Sequence, residues 1–219
     1  MTGPAVGFGE LLAQPGVVEV LDLRSTFGFC AFHGGNLERF TDQIASEAAA
    51  RSGASFYGVL QPAPMRQHVP SKFVSPTESH QLSAFLDHCE VVVALHGYGL
   101  RKRWTDVLLG GSNRPLAAHV ARHLRHGLPA YRIIDDLDAI PVHLRGQHPD
   151  NPCNLPLRGG VQIELPPRVR GLSPLAEHWP ANLPHTRRFA HTEHLINALT
   201  RAALAWPGGP QQVAPPAWV

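Results

Sequence analysis

Two histidines and one glutamate are spaced in a way that suits a metal ion. His33 closes an apolar run and is followed by two glycines and then Glu38, while His96 ends a second apolar run and is followed by Gly97. The glycines allow a sharp turn and keep bulk away from a ligand. Two imidazoles and a carboxylate, with a fourth position open to water, are a known catalytic zinc set. Either histidine alone would be an ordinary polar residue at a strand end, but the combination predicts zinc on His33, Glu38 and His96.

Glu164 is the candidate for acid–base chemistry. It lies in an alternating run, Val161–Leu165, which predicts a strand with Gln162 and Glu164 on one face. A carboxylate in so apolar a run is either paired or catalytic. The paired alternative is a salt bridge to Arg168 or Arg170. The catalytic alternative is a base that takes a proton from the water activated by zinc and passes it to the leaving nitrogen. Position alone does not separate the two.

The elements that must position these residues are alternating strands and helices. Apolar, β-prone runs predict strands over residues 17–23, 27–32, 56–60, 90–95, 131–134 and 161–165. Helical spacing and caps predict helices from 37 to Gly53, from the Ser75-Pro76 pair, over 113–126 and over 192–206.

The first two strands are close enough along the chain to pair, and Glu38 is expected in the first turn of its helix. The pattern predicts one α/β domain with a central, mostly parallel or mixed open sheet and helices on both faces. Sites in such sheets lie at the carboxyl ends of strands.

Composition limits the class of protein. The 219 residues are 43% hydrophobic and carry a formal net charge of +2, which suits one catalytic domain over 1–206 with a flexible tail over 207–219. The charge is too near balance to indicate nucleic acid, and the basic cluster 101–104 is better explained as a solvated loop. Three cysteines without a close pair predict a reducing, cytoplasmic location. No segment is typical of a secretion signal or a membrane span.

Four motifs together resemble the poly-γ-glutamate hydrolase family, some members of which carry the label phage-related replication protein. They are His33-Gly-Gly-Asn-Leu-Glu38, Ala94-Leu-His96-Gly97, Leu109-Gly-Gly-Ser-Asn113 and Gly160-Val-Gln-Ile-Glu-Leu165. The resemblance extends from His33 to Arg170 and is specific in the order and spacing of the motifs. It implies a fold like that of zinc carboxypeptidases, zinc on His33, Glu38 and His96, a catalytic Glu164, and hydrolysis of γ-glutamyl amide bonds.

Two positions depart from the family pattern. Asn36 stands where the family has a third glycine, which a helix cap tolerates. Leu155 follows Asn154 where the family has an arginine, and in related carboxypeptidases an Asn-Arg pair grips the substrate carboxylate. The identity of the substrate is therefore left open, whereas the metal set is intact.

The residues considered for substrate binding are Asn154, Arg158, Arg168 and Arg170. Arg158 either compensates for the missing arginine or is a solvated loop residue, and the other two arginines are either anion contacts or surface charges. The leading expectation is a zinc-dependent amidohydrolase or peptidase acting on an acidic substrate such as poly-γ-glutamate. A metal-binding module without turnover and a nucleic-acid-associated protein are the alternatives.

Overall fold

The computed structural model describes residues 7–100, 102–172 and 190–210. Seven strands form one sheet: β1 Val18–Asp22, β2 Phe27–Gly35, β3 Ser55–Gln61, β4 Val91–Gly97, β5 Asp106–Leu109, β6 Arg132–Ile134 and β7 Gly160–Leu165. The helices are α1 Phe8–Leu12, α2 Thr41–Ser52, α3 His80–His88, α4 Arg114–Gly127 and α5 Ala190–Leu204. The strand order is β1-β3-β2-β4-β7-β5-β6.

The centre of the sheet is parallel and its two sides are not. β3, β2, β4 and β7 run in the same direction, whereas β1 is antiparallel to β3 and β5 is antiparallel to β7. β6 runs parallel to β5. Nearly every residue of β2, β4 and β7 is buried, as expected for strands covered on both faces. The predicted mixed open sheet is confirmed.

Two hydrophobic cores cover the two faces of the sheet. Phe29 and Val93 point into the core under α2, α4 and α5, while Cys30 and Val92 point into the core that includes side chains of α1 and α3. All three cysteines are free and buried in this second core. The side of the sheet that faces α3 is the one on which the candidate site lies.

The structure corrects three local expectations. β1 pairs with β3 and not with β2, because β2 is buried between two parallel partners and only an edge is left for the half-exposed β1. β5 and α1 were not predicted, since four and five residues are too few to show a period. α2 begins at Thr41, so Glu38 lies in the turn before it and not in the first helical turn.

The structure describes only the first four residues of the predicted C-terminal tail, 207–210. Pro210 is buried, and Gly53 lies beside it. Residues 211–219 of the predicted tail lie outside the described residues. Within the described ranges no helix combines the length and the apolar character that crossing a membrane requires.

Candidate metal centre

A tight turn after β2 brings Glu38 back to His33. The backbone N–H of Glu38 donates to the carbonyl of His33 over 2.8 Å. Gly35 has a φ of 66°, and a Cβ there would collide with the backbone of Gln61. A Cβ at Gly34 would also be too close to its neighbours, at 2.7 Å from the nearest side chain. The glycine pair seen in the sequence is therefore required by the backbone of this turn.

The neighbouring strands place the other two residues of the site. His96 on β4 and Glu164 on β7 are directly paired in the parallel register, so that both side chains lie on the face of the sheet covered by α3. The backbone N–H of Gly97 donates to Oε2 of Glu38 over 2.8 Å. This bond connects the end of β4 to the turn after β2.

His33, Glu38 and His96 converge on one point, as the sequence predicted. Their ligand atoms all lie within 4.8 Å of one another. Nδ1 of His33 is 2.9 Å from Oε1 of Glu38 and 3.2 Å from Nδ1 of His96, which in turn is 3.4 Å from Oε2 of Glu38. Both histidines are almost fully buried, and the carboxylate is nearly so.

The charge of Glu38 is stabilised by its two neighbours. Burial alone would raise the pKa of Glu38, but His33 and His96 lower it well below its usual range. Burial alone would likewise lower the pKa of His96, yet the Glu38 carboxylate raises it. The charge of Glu38 therefore depends on the two rings and not on a helix N-terminus, which corrects the expectation from the sequence.

The donor set fits zinc. Nε2 of His33 lies 2.8 Å from the carbonyl of Val69, and because a carbonyl only accepts, this nitrogen carries the proton. Nδ1 is then the ring nitrogen of His33 that can bind a metal, and it faces a carboxylate oxygen and a second imidazole nitrogen. Such a cluster of acceptors needs a cation or a proton at its centre. Tetrahedral zinc places two nitrogen ligands about 3.3 Å apart, close to the 3.2 Å seen between the two Nδ1 atoms.

Glu164 is held by a chain of buried amides. Nε2 of Gln162 donates to Oε1 of Glu164 over 2.8 Å, and Nδ2 of Asn151 donates to Oε1 of Gln162 over 2.7 Å. Burial raises the pKa of Glu164 to about 7, with a smaller lowering from His96. A carboxyl group with such a pKa can both accept and return a proton near neutral pH. Asn151 was not singled out from the sequence, because it lies in a loop without a motif.

His68 is a second residue that sequence reasoning missed. Its ring lies 4.8 Å, centroid to centroid, from the ring of His33, and its side chain is exposed. The segment that carries it also supplies the Val69 carbonyl and is tied to the turn by Asn36, whose amide donates to the carbonyl of Met65. This proline-rich segment contains no recognisable motif, and His68 is one of fourteen histidines.

The structure does not bring Asn154 or Arg158 to the metal cluster. Among the described residues, the Asn154 side chain bonds only to the backbone of residues 112, 146 and 148 and to the neighbouring Cys153. Arg158 is exposed, faces Glu90 at 3.8 Å and lies over the ring of Trp206. Arg158 precedes β7, whereas Glu164 is near its end, and six residues of extended chain span about 20 Å. Both side chains thus have partners outside the metal cluster, and their role in substrate binding stays a prediction.

Arg168 and Arg170 follow the end of β7 and lie on the edge of the sheet that carries the cluster. Arg168 is exposed, with its guanidinium 5.8 Å from the ring centre of Tyr131. Arg170 is buried at 6% exposure, and its donors are directed at backbone carbonyls. Neither arginine forms an ion pair with Glu164, the alternative that the sequence left open for that carboxylate.

Solved structures share this architecture. Eight chains match, among them a bacteriophage poly-γ-glutamate hydrolase, with a TM-score of 0.70 and 19% identity over 85% of this chain and 87% of the other. YndL in a zinc-free form matches with a TM-score of 0.69 and 20% identity over 85% and 88%. The chain therefore shares the fold of these two proteins, an α/β domain with a mixed open sheet. No curated protein matches the chain.

The family is defined by a separate comparison. The model of the poly-γ-glutamate hydrolase family matches residues 13–173, most of the chain and all of the candidate site. The chain therefore belongs to the poly-γ-glutamate hydrolase family.

Proposed function

We propose that this protein is a zinc-dependent hydrolase of amide bonds, with His33, Glu38 and His96 as the metal ligands and Glu164 as the general acid–base. The observation that carries the proposal is the convergence of two imidazole nitrogens and a carboxylate on one buried point beside a second, separately held carboxylate. Zinc bound by this set would polarise the amide carbonyl and make the attacking water more acidic.

Glu164 is proposed to move the proton that hydrolysis requires. The oxygen of water bonds to the amide carbon and the carbon–nitrogen bond breaks. Glu164 takes one proton from that water and delivers it to the leaving nitrogen, while the other water proton stays with the new carboxyl group. Oε1 of Glu164 already accepts a hydrogen bond from Gln162. Among the described residues, Oε2 of Glu164 is therefore the oxygen left for this transfer.

An acidic polymer is the substrate that we propose, because cations surround the site. Arg66 is exposed, and its guanidinium lies 3.5 Å from the carbonyl of Leu37, next to Glu38. Arg39 directly follows Glu38, and Arg168 lies beyond the end of β7. None of these three arginines forms an ion pair with a carboxylate in the part of the chain that the structure describes. They are therefore available to the carboxylates of a poly-γ-glutamate chain.

The activity is tested by incubating zinc-loaded protein with poly-γ-glutamate and measuring chain length and new amino groups. We expect shorter chains with γ-linked ends and slower cleavage of a neutral peptide of similar length. Binding of zinc without cleavage of any of these compounds would favour the metal-binding module instead.

The role of the cations is tested by comparing Arg66→Ala with Arg158→Ala. Each removes one exposed guanidinium, but only Arg66 lies beside the cluster. Loss of a surface charge contact of about 0.5–1 kcal/mol predicts a KM for poly-γ-glutamate that rises about 2–5-fold in Arg66→Ala with little change in kcat. Arg158→Ala should leave KM unchanged. Equal effects of the two variants would contradict this assignment.

A further inference from the structure

The buried guanidinium of Arg170 contacts the three chain segments that carry the proposed metal ligands and Glu164. Nε of Arg170 donates to the carbonyl of Leu165 over 3.2 Å, and Nη1 donates to the carbonyl of Arg39 over 2.9 Å. Nη2 lies 3.5 Å from the carbonyl of Tyr98. These three carbonyls belong to chain segments that are far apart in sequence.

Each of these carbonyls is next to a residue of the site. The first follows Glu164 by one residue, the second follows Glu38 by one, and the third follows His96 by two. We propose that Arg170 is a positioning residue that holds the metal-binding turn, the end of β4 and the end of β7 at their working distances. The inference rests on the proposed function and deepens it, because it assigns the residue that holds the metal ligands and the acid–base group in one arrangement.

The end of β4 is built to receive this guanidinium. A Cβ at Gly97 would lie 2.7 Å from Cζ of Arg170, so only glycine leaves room for it. The N–H of the same glycine donates to Oε2 of Glu38. Gly97 thus donates its N–H to a proposed metal ligand, and the guanidinium of Arg170 packs against its Cα, where a side chain would otherwise be. The position of Arg170 is therefore coupled to the cluster.

The geometry distinguishes positioning from substrate binding. Arg170 is buried, and the three nitrogens of its guanidinium are all directed at backbone oxygens. Burial lowers its pKa to about 10, while Glu38 and Glu164 act in the opposite direction, so it stays charged at neutral pH. A lysine would keep the charge, but a single ammonium cannot reproduce the planar fork that reaches three separate carbonyls.

Arg114 offers a matched control elsewhere in the fold. It is partly buried, less deeply than Arg170, and also donates to three backbone carbonyls, those of Leu109, Gly111 and Asp135. None of these residues belongs to the candidate site or adjoins it in sequence, although Leu109 pairs with Ile163 of β7. Arg114→Lys therefore makes the same change at a guanidinium whose three carbonyl partners are not adjacent in sequence to a proposed metal ligand or to Glu164.

The experiment measures zinc affinity by chelator competition, together with kcat, KM and thermal stability, for the whole chain and both variants. Outer-shell partners of metal ligands are typically worth about 10–100-fold in affinity or activity. We expect Arg170→Lys to weaken zinc binding and lower kcat by at least about 10-fold with KM nearly unchanged. Arg114→Lys should lower the melting temperature to a similar extent but keep zinc affinity and kcat within about 2-fold of the parent.

Three results would overturn the inference: zinc affinity and kcat preserved in Arg170→Lys, equal losses in Arg114→Lys, or a rise in KM alone, which would make Arg170 a substrate contact. If Arg170→Lys does not fold, Gly97→Ala decides, because its methyl group displaces the guanidinium while keeping both the charge and the N–H. That variant should bind zinc more weakly, and unchanged affinity would refute the role of Arg170. A parent protein that binds no zinc would refute the proposed function itself, which is a different outcome.

Discussion

Glu164→Gln should raise the stability of the metal-free protein while abolishing most of its activity. The two side chains have the same shape, and the amide oxygen of the variant can accept the bond that Gln162 now donates to Glu164. The fold and the three proposed ligands are therefore left in place. What is lost is a buried carboxylate that can carry a proton.

The size of the stability gain follows from the raised pKa. Burial raises the pKa of Glu164 to about 7, whereas an unfolded glutamate titrates near 4.3. Because the folded-state pKa is the higher one, the carboxyl group is protonated in both states below about pH 4 and costs the folded state nothing there. Well above pH 7, its ionisation costs the folded state up to about 4 kcal/mol. The variant, which has no such charge, should exceed the parent in stability by up to that amount at about pH 8.5, and the difference should fade as the pH drops.

Denaturant unfolding of metal-free parent and variant across this pH range measures the gain, and turnover of poly-γ-glutamate measures the loss. Losing a positioned acid–base group predicts a fall in kcat of about 10²–10⁴-fold with zinc still bound. Glu90→Gln is the control, because that carboxylate is exposed and lies before β4, away from the cluster. Unchanged turnover would remove Glu164 from the mechanism, loss of zinc would make it a ligand, and a pH-independent stability difference would refute the burial argument.

Two further predictions concern the groups around Glu164 and the metal cluster. Gln162→Leu removes the donor to Glu164 and leaves the Asn151 amide with the Gly146 carbonyl as its acceptor. We expect a loss of about 1–3 kcal/mol in unfolding free energy and a kcat at least about 10-fold lower. A variant with parental kcat would show that the amide chain does not orient the base. Zinc binding should release about one proton near pH 7, because the metal replaces the proton that His33, Glu38 and His96 share without it. Calorimetry in two buffers of different ionisation enthalpy measures this release, and its absence would contradict a shared proton.

The metal cluster was predictable because its signals are local. His33, the glycine pair and Glu38 lie within six residues, and His96 ends a strand whose central position was evident from its continuous apolar run. Parallel neighbours in a sheet bring their carboxyl ends to one edge, so the convergence of the cluster followed from the sequence pattern.

The residues that hold the site in place, Asn151, Gln162 and Arg170, were not predictable in the same way. Asn151 and Gln162 meet through the path of a long loop. Arg170 reaches carbonyls that lie 5, 72 and 131 residues away, and a backbone carbonyl has no sequence signature. Arg158 was expected near the substrate because of its closeness in sequence to Asn154, but the length of β7 separates Arg158 from Glu164. The pairing of β1 depended on which strand edge was free, a property of the assembled sheet.

Zinc content tests the central claim most directly. Elemental analysis of purified protein, and of His96→Ala and Glu164→Gln prepared in parallel, should give about one zinc per chain for the parent and for Glu164→Gln, on the pattern of three protein ligands and water. His96→Ala, which keeps only two of the three converging ligands, should contain almost none. Full zinc content in His96→Ala, or a parent without zinc even after incubation with the metal, would contradict the account.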